Sequence, residues 1–246
     1  MELYIIRHGQ STNNATEALN RRDRVSDPPL TEIGHRQAEA VARYLRDGYN
    51  ADRIADAINR GDPNARSLRG FDIDKLYCSP MHRTLQTARP IADALGLTPH
   101  VWVDIHEHGG LFLEHEDERG IVGFPGKTRA EILDEFPGYV LTDDITDEGW
   151  WTGTMEDLTT AYGRAIRVAE QLYKEAKATP DERIAIVSHG TFITGLLKAL
   201  LNTLPSRGQW FSHHNTGMTR VDFLKTGEIH IRYINRVDHL SPELIT

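Results

Sequence analysis

The sequence predicts an α/β fold, a three-layer α/β/α sandwich in which helices cover both faces of a mainly parallel central sheet. Short apolar runs rich in β-branched and aromatic residues alternate with longer segments whose apolar residues recur at helical spacing. Three of the short runs end in cationic or imidazole side chains, and ligands of α/β proteins bind at the carboxyl ends of strands. The length of 246 residues suits one domain, 1–246.

The predicted strands are short, and the predicted helices are amphipathic. Strands are expected at 3–6, 75–78, 101–103, 183–188, 217–224 and 228–234. Helices are expected over about 31–47, 81–95, 155–178 and 191–202. Thr31 is a suitable N-cap for the first of these helices, and Gly96 is a suitable terminator of the second.

Two regions interrupt this alternation. Residues of about 48–72 are expected to form an insertion with a short amphipathic helix around Ile54 and Ile58, and no chemistry is assigned to it. Residues 17–29 are expected to form a polar loop whose arginines either line the mouth of a pocket or face solvent. The arginines concerned are Arg21, Arg22 and Arg24.

Composition argues against several classes of protein. The formal net charge of -8 disfavours a general nucleic-acid binder, because such proteins usually present a basic face. No apolar run approaches the length of a membrane span, and the N-terminus enters a predicted strand at once, so neither a membrane protein nor a secretory signal is expected. The single cysteine, Cys78, is typical of a reducing compartment, so a cytoplasmic location is expected.

Polar side chains follow three of the predicted strands. Arg7 and His8 follow the first strand, His189 follows strand 183–188, and Arg83 lies one helical turn after the end of strand 75–78. Arginine offers a fixed fork of donors that matches phosphate or carboxylate, and histidine can act as nucleophile, base or metal ligand. If the three strand ends meet at one edge of a parallel sheet, they form an anion pocket with a histidine inside it.

Three motifs occur in order and, with the strands around them, span residues 3 to 224. They are Arg7-His8-Gly9-Gln10-Ser11 with Asn14, then Ser79-Pro80 with Arg83 and Gln86-Thr87-Ala88, then Ser188-His189-Gly190. This set resembles the histidine phosphatase superfamily, and within it the phosphoglycerate-mutase-like branch. The resemblance implies a single histidine phosphatase domain with an antiparallel edge to its sheet. It also implies an inserted lid at about 105–153 that covers the pocket and selects the substrate.

The resemblance also implies a role for the motif residues. The His8 imidazole is expected to be the nucleophile, kept neutral by nearby arginines. Arg7, Arg83 and His189 are expected to hold the phosphoryl oxygens, where preplaced donors stabilise the transition state. The other residues expected to bind substrate are Gln10, Asn14 and Gly190, together with backbone N–H groups near Gly190 and Thr191 at a helix start.

A carboxyl group is needed to protonate the leaving alkoxide and later to activate a water molecule. Glu107 is the predicted acid, because it follows strand 101–103 where the family carries its acid, ahead of a glycine pair. Glu114 and Glu116 lie close by and are expected to be solvated surface. By resemblance, Asn215 is expected to support the catalytic imidazole without touching substrate.

The expected function is metal-independent hydrolysis of a small organic phosphomonoester through phosphohistidine, by a phosphatase of the histidine acid phosphatase type. The first alternative is phosphoglycerate mutase-type phosphoryl transfer. Mutases of the family carry a basic cluster after the catalytic glutamate, whereas residues 113–118 are strongly acidic here, but Lys127 and Arg129 could still reach inward. The second alternative is an inactive relative that binds phosphorylated ligands, and nothing in the sequence indicates such a loss of activity.

No metal or cofactor is expected. Histidines cluster at 106–115 and at 213–214, but the chain has no His-Glu-x-x-His helix and no paired cysteines. The expected partner is a small phosphorylated substrate, with no nucleic acid and no membrane, and the sequence does not decide between a monomer and a homo-oligomer. Five apolar residues of the lid either contact an organic leaving group or form local core: Leu111, Phe112, Phe124, Trp150 and Trp151.

Overall fold

The computed structural model describes residues 1–16, 24–203 and 208–246. Arg21 and Arg22, two of the arginines considered for the pocket mouth, lie outside the described residues. Within the described ranges, no helix is both long enough and apolar enough to cross a membrane.

A central sheet of seven strands organises the molecule. The strands along the described chain are β1 (Glu2–Arg7), β2 (Lys75–Cys78), β3 (Pro99–Val101), β4 (Phe112–Glu114), β5 (Ile121–Gly123), β6 (Val140–Leu141), β7 (Arg183–Ser188), β8 (Met218–Phe223) and β9 (Ile229–Arg236). The sheet order is β6-β3-β2-β7-β1-β8-β9, and β4 pairs with β5 in a separate hairpin. Neighbours from β6 to β1 are parallel, whereas β8 and β9 are antiparallel. The mainly parallel sheet and its antiparallel edge are confirmed.

Helices cover both faces of this sheet. The helices of the described residues are α1 (Thr12–Thr16), α2 (Glu32–Asp47), α3 (Ala51–Asn59), α4 (His82–Leu95), α5 (Arg129–Glu135), α6 (Leu158–Ala178) and α7 (Gly190–Leu200). Alternate residues of β1 point to opposite faces. Tyr4 and Ile6 join an apolar cluster with α2 and α4, whereas Leu3 and Ile5 join a second cluster with α6 and α7. The three-layer sandwich is therefore confirmed.

The third strand lies two residues earlier than predicted, at Pro99–Val101 instead of 101–103. Its pairing with β2 ends with Cys78 opposite Val101, and the Trp102 N–H then donates to the Cys78 carbonyl at 2.9 Å. β2 ends at Cys78, so it offers no backbone groups for pairing beyond that point. Residues Val103–Ile105 turn instead into a short 3₁₀ helix that leads towards Glu107.

The region predicted as a lid is more regular than the sequence indicates. It contains the β4–β5 hairpin, and β6 adds to the edge of the main sheet beside β3. It also contains the short helix α5, with Thr128 and Glu131 forming a reciprocal N-terminal cap. The hairpin strands have three residues each, which is too short for a clear alternating pattern.

The predicted insertion at 48–72 contains α3, which begins after its N-cap Asn50. Ile54 and Ala57 of this helix are buried, whereas Ile58 is exposed. The buried face of α3 therefore contains Ile54 and Ala57, and not Ile54 and Ile58 as predicted.

Two glycines allow the loop after β1 to lie directly against the first turn of α2. A Cβ atom at Gly34 would overlap the Gln10 carbonyl oxygen, and one at Gly9 would lie 2.5 Å from the Gly34 carbonyl oxygen. The Gln10 carbonyl also accepts a hydrogen bond from the Thr31 N–H at 2.9 Å. This contact fixes the backbone of the segment that carries His8.

We expect Gly34→Ala to lower the free energy of unfolding by roughly 1–3 kcal/mol, the usual cost of overpacking a filled site. Gly163→Ala is the matched control, because Gly163 also lies inside a helix and its added Cβ would be 3.9 Å from the nearest neighbour. The control should raise stability by about 0.4–1 kcal/mol. Denaturant unfolding of both variants measures the difference. Equal effects would mean that the His8 loop can separate from α2 at little cost.

Candidate active site

The carboxyl ends of β1, β2 and β7 meet beside a cavity of about 1390 Å³. In the pairing of these strands, Arg7 lies opposite Ser188, and Cys78 lies opposite Val187. The residues predicted for the site that line this cavity are Arg7, His8, Asn14, Arg83, Glu107 and Gly190. The three strand ends singled out in the sequence therefore converge on one space.

His8 lies at the bottom of the cavity with both ring nitrogens oriented. Its Nδ1 is 2.6 Å from the Gly9 carbonyl oxygen, and its Nε2 is 3.1 Å from Arg83 Nε. A guanidinium can only donate, so Nε2 must accept, and the ring proton must lie on Nδ1 and be donated to Gly9. Nε2 is therefore the unprotonated nitrogen of the ring, and its lone pair is directed at the Arg83 guanidinium.

The surroundings of His8 disfavour its charged form. Burial is the largest cause, and it lowers the pKa of the imidazole well below the usual 6.5. The charges of Arg83 and then Arg7 lower the same pKa further, while the hydrogen bond to the Gly9 carbonyl raises it. Desolvation therefore contributes more to the neutral ring than the arginines do.

Two guanidinium groups stand beside this ring. Arg83 is buried, with Nη1 3.9 Å from a carboxylate oxygen of Asp27, and Arg7 donates from Nη1 to the His213 carbonyl at 2.6 Å. Asp27 also accepts a hydrogen bond from the His82 N–H at 3.0 Å. Sequence reasoning missed Asp27, because nothing in a Pro-rich loop indicates contact with a helix 55 residues away.

His189 is predicted to hold a phosphoryl oxygen, but the structure places it outside the described cavity lining. Its ring centroid is 5.1 Å from that of His8, its Nε2 is 2.9 Å from Ser79 Oγ, and it is fully buried. Its Nδ1 has no hydrogen-bond partner among the described residues. Burial, followed by the charge of Arg83, lowers the pKa of His189 well below 6.5. Two neutral imidazoles thus lie side by side.

Glu107 is held at the N-terminus of α7. Its carboxylate accepts from the backbone N–H groups of Thr191 at 3.2 Å and Phe192 at 2.9 Å, and from that of His108 at 2.8 Å. The helix start therefore binds the protein's own carboxylate. The prediction that the Thr191 N–H binds phosphate is wrong for this structure, because Glu107 already uses that donor. Gly190 lines the cavity.

Gln10 was predicted to bind substrate, but the structure does not bring it to the cavity. Its side-chain Oε1 accepts a hydrogen bond from the Thr31 hydroxyl at 2.8 Å, and it is absent from the described lining residues. The backbone of residue 10 lies directly against Gly34, and its side chain is bonded to Thr31, the N-cap of α2.

Asn14 and Asn215 lie next to each other near His8. Asn14 lines the cavity, and its Oδ1 accepts from the Ser11 N–H and hydroxyl at 3.1 Å each. Asn215 donates to the His8 carbonyl at 3.0 Å and does not reach the imidazole. The support predicted for the imidazole from Asn215 therefore acts on the His8 backbone. The ring itself is oriented by Gly9 and Arg83.

The β4–β5 hairpin supplies an acidic wall to the cavity. Glu114, Glu116 and Asp117 line it, and Glu114 and Glu116 are exposed to solvent as expected. Lys127 instead pairs with Glu135 at 2.7 Å, and Arg129 donates to the carbonyl groups of Ile145 and Thr142. Neither Lys127 nor Arg129 is among the described residues that line the cavity.

The five apolar residues singled out in the lid divide into two groups. Phe112 lines the cavity. Leu111 and Trp150 are buried in the core, and Phe124 and Trp151 pack against it. For four of the five, the local-core alternative is therefore correct.

Four other apolar side chains form what we call the apolar rim: Val25, Ile121, Met155 and Trp210. Each is 41–56% exposed, and each comes from a different segment of the chain. Sequence reasoning missed this group, because no periodic pattern links residues from four separate segments. Arg24, one of the loop arginines considered for the pocket mouth, also lines the cavity.

The histidine clusters do not assemble a metal site in the described ranges, where no group of three or more His, Cys, Asp or Glu side chains could hold an ion. The His106 ring lies instead against Trp150 and Trp151, with centroid distances of 5.4 and 5.2 Å. His213 is held between the Phe211 carbonyl and the Thr219 hydroxyl. The absence of metal from the reaction stays a prediction.

Two solved structures share this fold. The phosphoserine phosphatase of Entamoeba histolytica, determined with 3-phosphoglyceric acid, matches with a TM-score of 0.58 and 22% identity over 98% of this chain and 99% of that chain. A mycobacterial glucosyl-3-phosphoglycerate phosphatase, determined with VO3, matches with a TM-score of 0.53 and 21% identity over 96% of this chain and 99% of that chain. At these identities the likeness shows the fold alone.

Sequence comparison places the chain in a family. Probable phosphoglycerate mutase GpmB of Yersinia pestis is 26% identical over 223 residues, which are 91% of this chain and 85% of that protein. The family model of the histidine phosphatase superfamily (branch 1) matches residues 3–57 and 63–236. With nearly the whole chain matched, and with relatives of the phosphoglycerate-mutase type, this protein belongs to the histidine phosphatase superfamily.

Proposed function

We propose that this protein is a metal-independent phosphomonoester hydrolase, of the histidine acid phosphatase type, that acts through phosphohistidine on a small organic phosphate. The observation that carries the proposal is the hydrogen bond from Arg83 Nε to His8 Nε2. It defines a neutral imidazole whose lone pair is on Nε2 and accepts the Arg83 N–H, so this hydrogen bond must break when Nε2 attacks phosphorus. Such a nitrogen can attack phosphorus while the guanidinium groups stabilise the charge on the phosphoryl oxygens.

The reaction takes two displacements. His8 Nε2 forms a bond to phosphorus, the bond from phosphorus to the ester oxygen breaks, and Glu107 in its protonated form gives its proton to the leaving alkoxide. A water molecule then gives a proton to Glu107 and attacks phosphorus, the P–N bond breaks, and the electron pair returns to His8. Glu107 serves both steps from one position, because two α7 N–H groups fix its carboxylate.

The charges around the cavity favour hydrolysis over the mutase alternative. A mutase must retain a second phosphate, and the hairpin wall carries Glu114, Glu116 and Asp117, the last of which pairs with Arg119 of the same lining at 2.7 Å. Lys127 and Arg129, which could have offset this wall, bond elsewhere. Comparing phosphoryl transfer between phosphoglycerates with release of free phosphate tests the choice. Transfer that exceeds release would favour the mutase.

The inactive alternative has no support in the geometry, because nucleophile, cations and a fixed carboxylate are all present. The cavity of about 1390 Å³ leaves room for an organic group beyond phosphate. A cytoplasmic location, inferred from the single cysteine, and the oligomeric state stay predictions.

We expect the wild-type protein to release phosphate from a panel of phosphomonoesters in the presence of a metal chelator. His8→Ala should lose at least about 100-fold of kcat/KM, because covalent catalysis requires the imidazole. It should also lose the acid-labile phosphoenzyme that radiolabelled substrate leaves on the wild type. His35→Ala is the control, since His35 is an exposed residue of α2. Two results would contradict the mechanism. One is turnover by His8→Ala, and the other is loss of wild-type turnover in the presence of the chelator.

We expect His8 to remain a neutral nucleophile as the pH falls through 6.5. Its pKa is lowered well below 6.5 in the folded protein, so protonation of the ring begins only at much lower pH. NMR titration of the imidazole should show the neutral ring at pH 6.5. The kcat/KM profile, corrected for the second ionisation of the substrate phosphate near a pKa of about 6, should show no acid limb at 6.5. An acid limb at pH 6.5 that coincides with the NMR titration of His8 would contradict the assignment of His8 as a neutral nucleophile.

We expect the apolar rim to favour esters with apolar leaving groups. Along a series of linear alkyl phosphates, kcat/KM should rise by up to about fourfold per methylene, since each buried CH₂ contributes about 0.8 kcal/mol. Ile121→Gln should flatten this rise. Ile166→Gln is the control, because Ile166 is 46% exposed, as against 44% for Ile121, but lies on α6 outside the described cavity lining. Identical slopes in both variants would mean that the rim does not contact the leaving group.

A further inference from the structure

A buried ion pair holds the chain on both sides of Glu107. The Arg164 guanidinium donates to the Glu156 carboxylate through two bonds, at 2.9 and 2.6 Å. Through Nη1 it also donates to the carbonyl groups of Asp104 at 2.7 Å and His106 at 2.9 Å, just before Glu107. On the other side, the Glu156 N–H donates to the Gly109 carbonyl at 3.1 Å.

The pair also reaches the helix turn that binds the Glu107 carboxylate. The guanidinium carbon of Arg164 lies 4.7 Å from the centre of the Phe192 ring, in a cation–π arrangement. The Phe192 N–H in turn donates to Glu107 Oε1 at 2.9 Å. One side chain thus touches both the loop that carries the carboxylate and the residue that anchors it.

Stability alone does not explain such a pair. Arg164 is 2% and Glu156 8% exposed, and removing two charges from water costs as much as their attraction returns. An apolar pair of similar volume could fill the same space. It could not supply four directed hydrogen bonds to the backbone and carboxylate around one loop. The geometry therefore points to positioning rather than to packing.

We propose that Arg164 and Glu156 are positioning residues that hold the Glu107 carboxyl group where it can protonate the leaving oxygen. The proposal rests on the proposed function, in which Glu107 is the general acid. Neither residue reaches the phosphate itself, since neither is among the described residues that line the cavity. Their effect is expected on proton transfer and not on phosphate binding.

Leaving-group dependence separates these two effects. An alkyl phosphate expels a basic alkoxide that needs a proton, whereas p-nitrophenyl phosphate expels a stable phenolate that does not. Because kcat/KM covers only the steps up to transfer onto His8, later hydrolysis of the phosphoenzyme does not enter the comparison. The readout is the ratio of kcat/KM for p-nitrophenyl phosphate to kcat/KM for ethyl phosphate.

Glu107→Gln sets the reference and should raise this ratio about 100-fold, within the usual contribution of a general acid. Arg164→Lys keeps the charge but loses the fork, and Glu156→Gln keeps the volume but loses the charge. Each should raise the ratio by about tenfold or more, since a small misplacement of a catalytic group is costly. Because Glu156→Gln is nearly isosteric, it tests the proposal even if Arg164→Lys folds poorly.

Arg220→Lys is the matched control. Arg220 is 1% exposed and pairs with Asp222 at 2.7 Å on β8, opposite Tyr4 and away from the strand ends. It should lower the melting temperature without changing the ratio. Suppose that Glu107→Gln raises the ratio. The positioning role is then wrong if Arg164→Lys and Glu156→Gln lower kcat/KM equally for both esters, or do not lower it at all. If Glu107→Gln leaves the ratio unchanged, the acid role of Glu107 in the proposed function fails first.

Discussion

The hydrogen bond between Arg83 and His8 joins a buried cation to a neutral imidazole, and much of the surrounding structure serves to keep both in place. A second positive charge on His8 would lie 3.1 Å from the guanidinium in a site with little water, which is unfavourable. The ring therefore stays neutral and keeps its lone pair on Nε2. Asp27, near Arg83, partly compensates the buried charge of the guanidinium. One contact thus places a cation beside a neutral imidazole at the cavity.

The parallel sheet explains why these groups meet. Three strands that are distant in sequence end at one edge, and each delivers its polar residues there. The glycines at 9 and 34 then lock the first of these segments against α2, while Asn215 holds the His8 carbonyl from the antiparallel side. The backbone around His8 is therefore held by α2 and by Asn215, and its ring is held by Gly9 and Arg83.

The cavity combines three kinds of surface. Its base is cationic, the hairpin wall is acidic, and the rim is apolar. Glu107 is held by α7 and by the loop that Arg164 and Glu156 contact. In the proposed function the base binds phosphate, the wall disfavours a second phosphate, and the rim contacts an organic group.

The sequence predicted the fold class and the three strand ends that meet at the cavity from local patterns, and its motifs, with the family resemblance, singled out His8, Arg7, Arg83 and Glu107 as site candidates. It did not determine the turn of Gln10 towards α2, the Asn215 contact to the His8 backbone, or the use of the α7 N–H groups by Glu107. No sequence pattern pointed to Asp27, Arg164 or the apolar rim either. These contacts join residues that are tens to hundreds of positions apart, such as 58 for Arg164 and His106 and 207 for Asn215 and His8. Only the packing of helices on the sheet brings such residues together, since no local periodicity records which distant surfaces will meet.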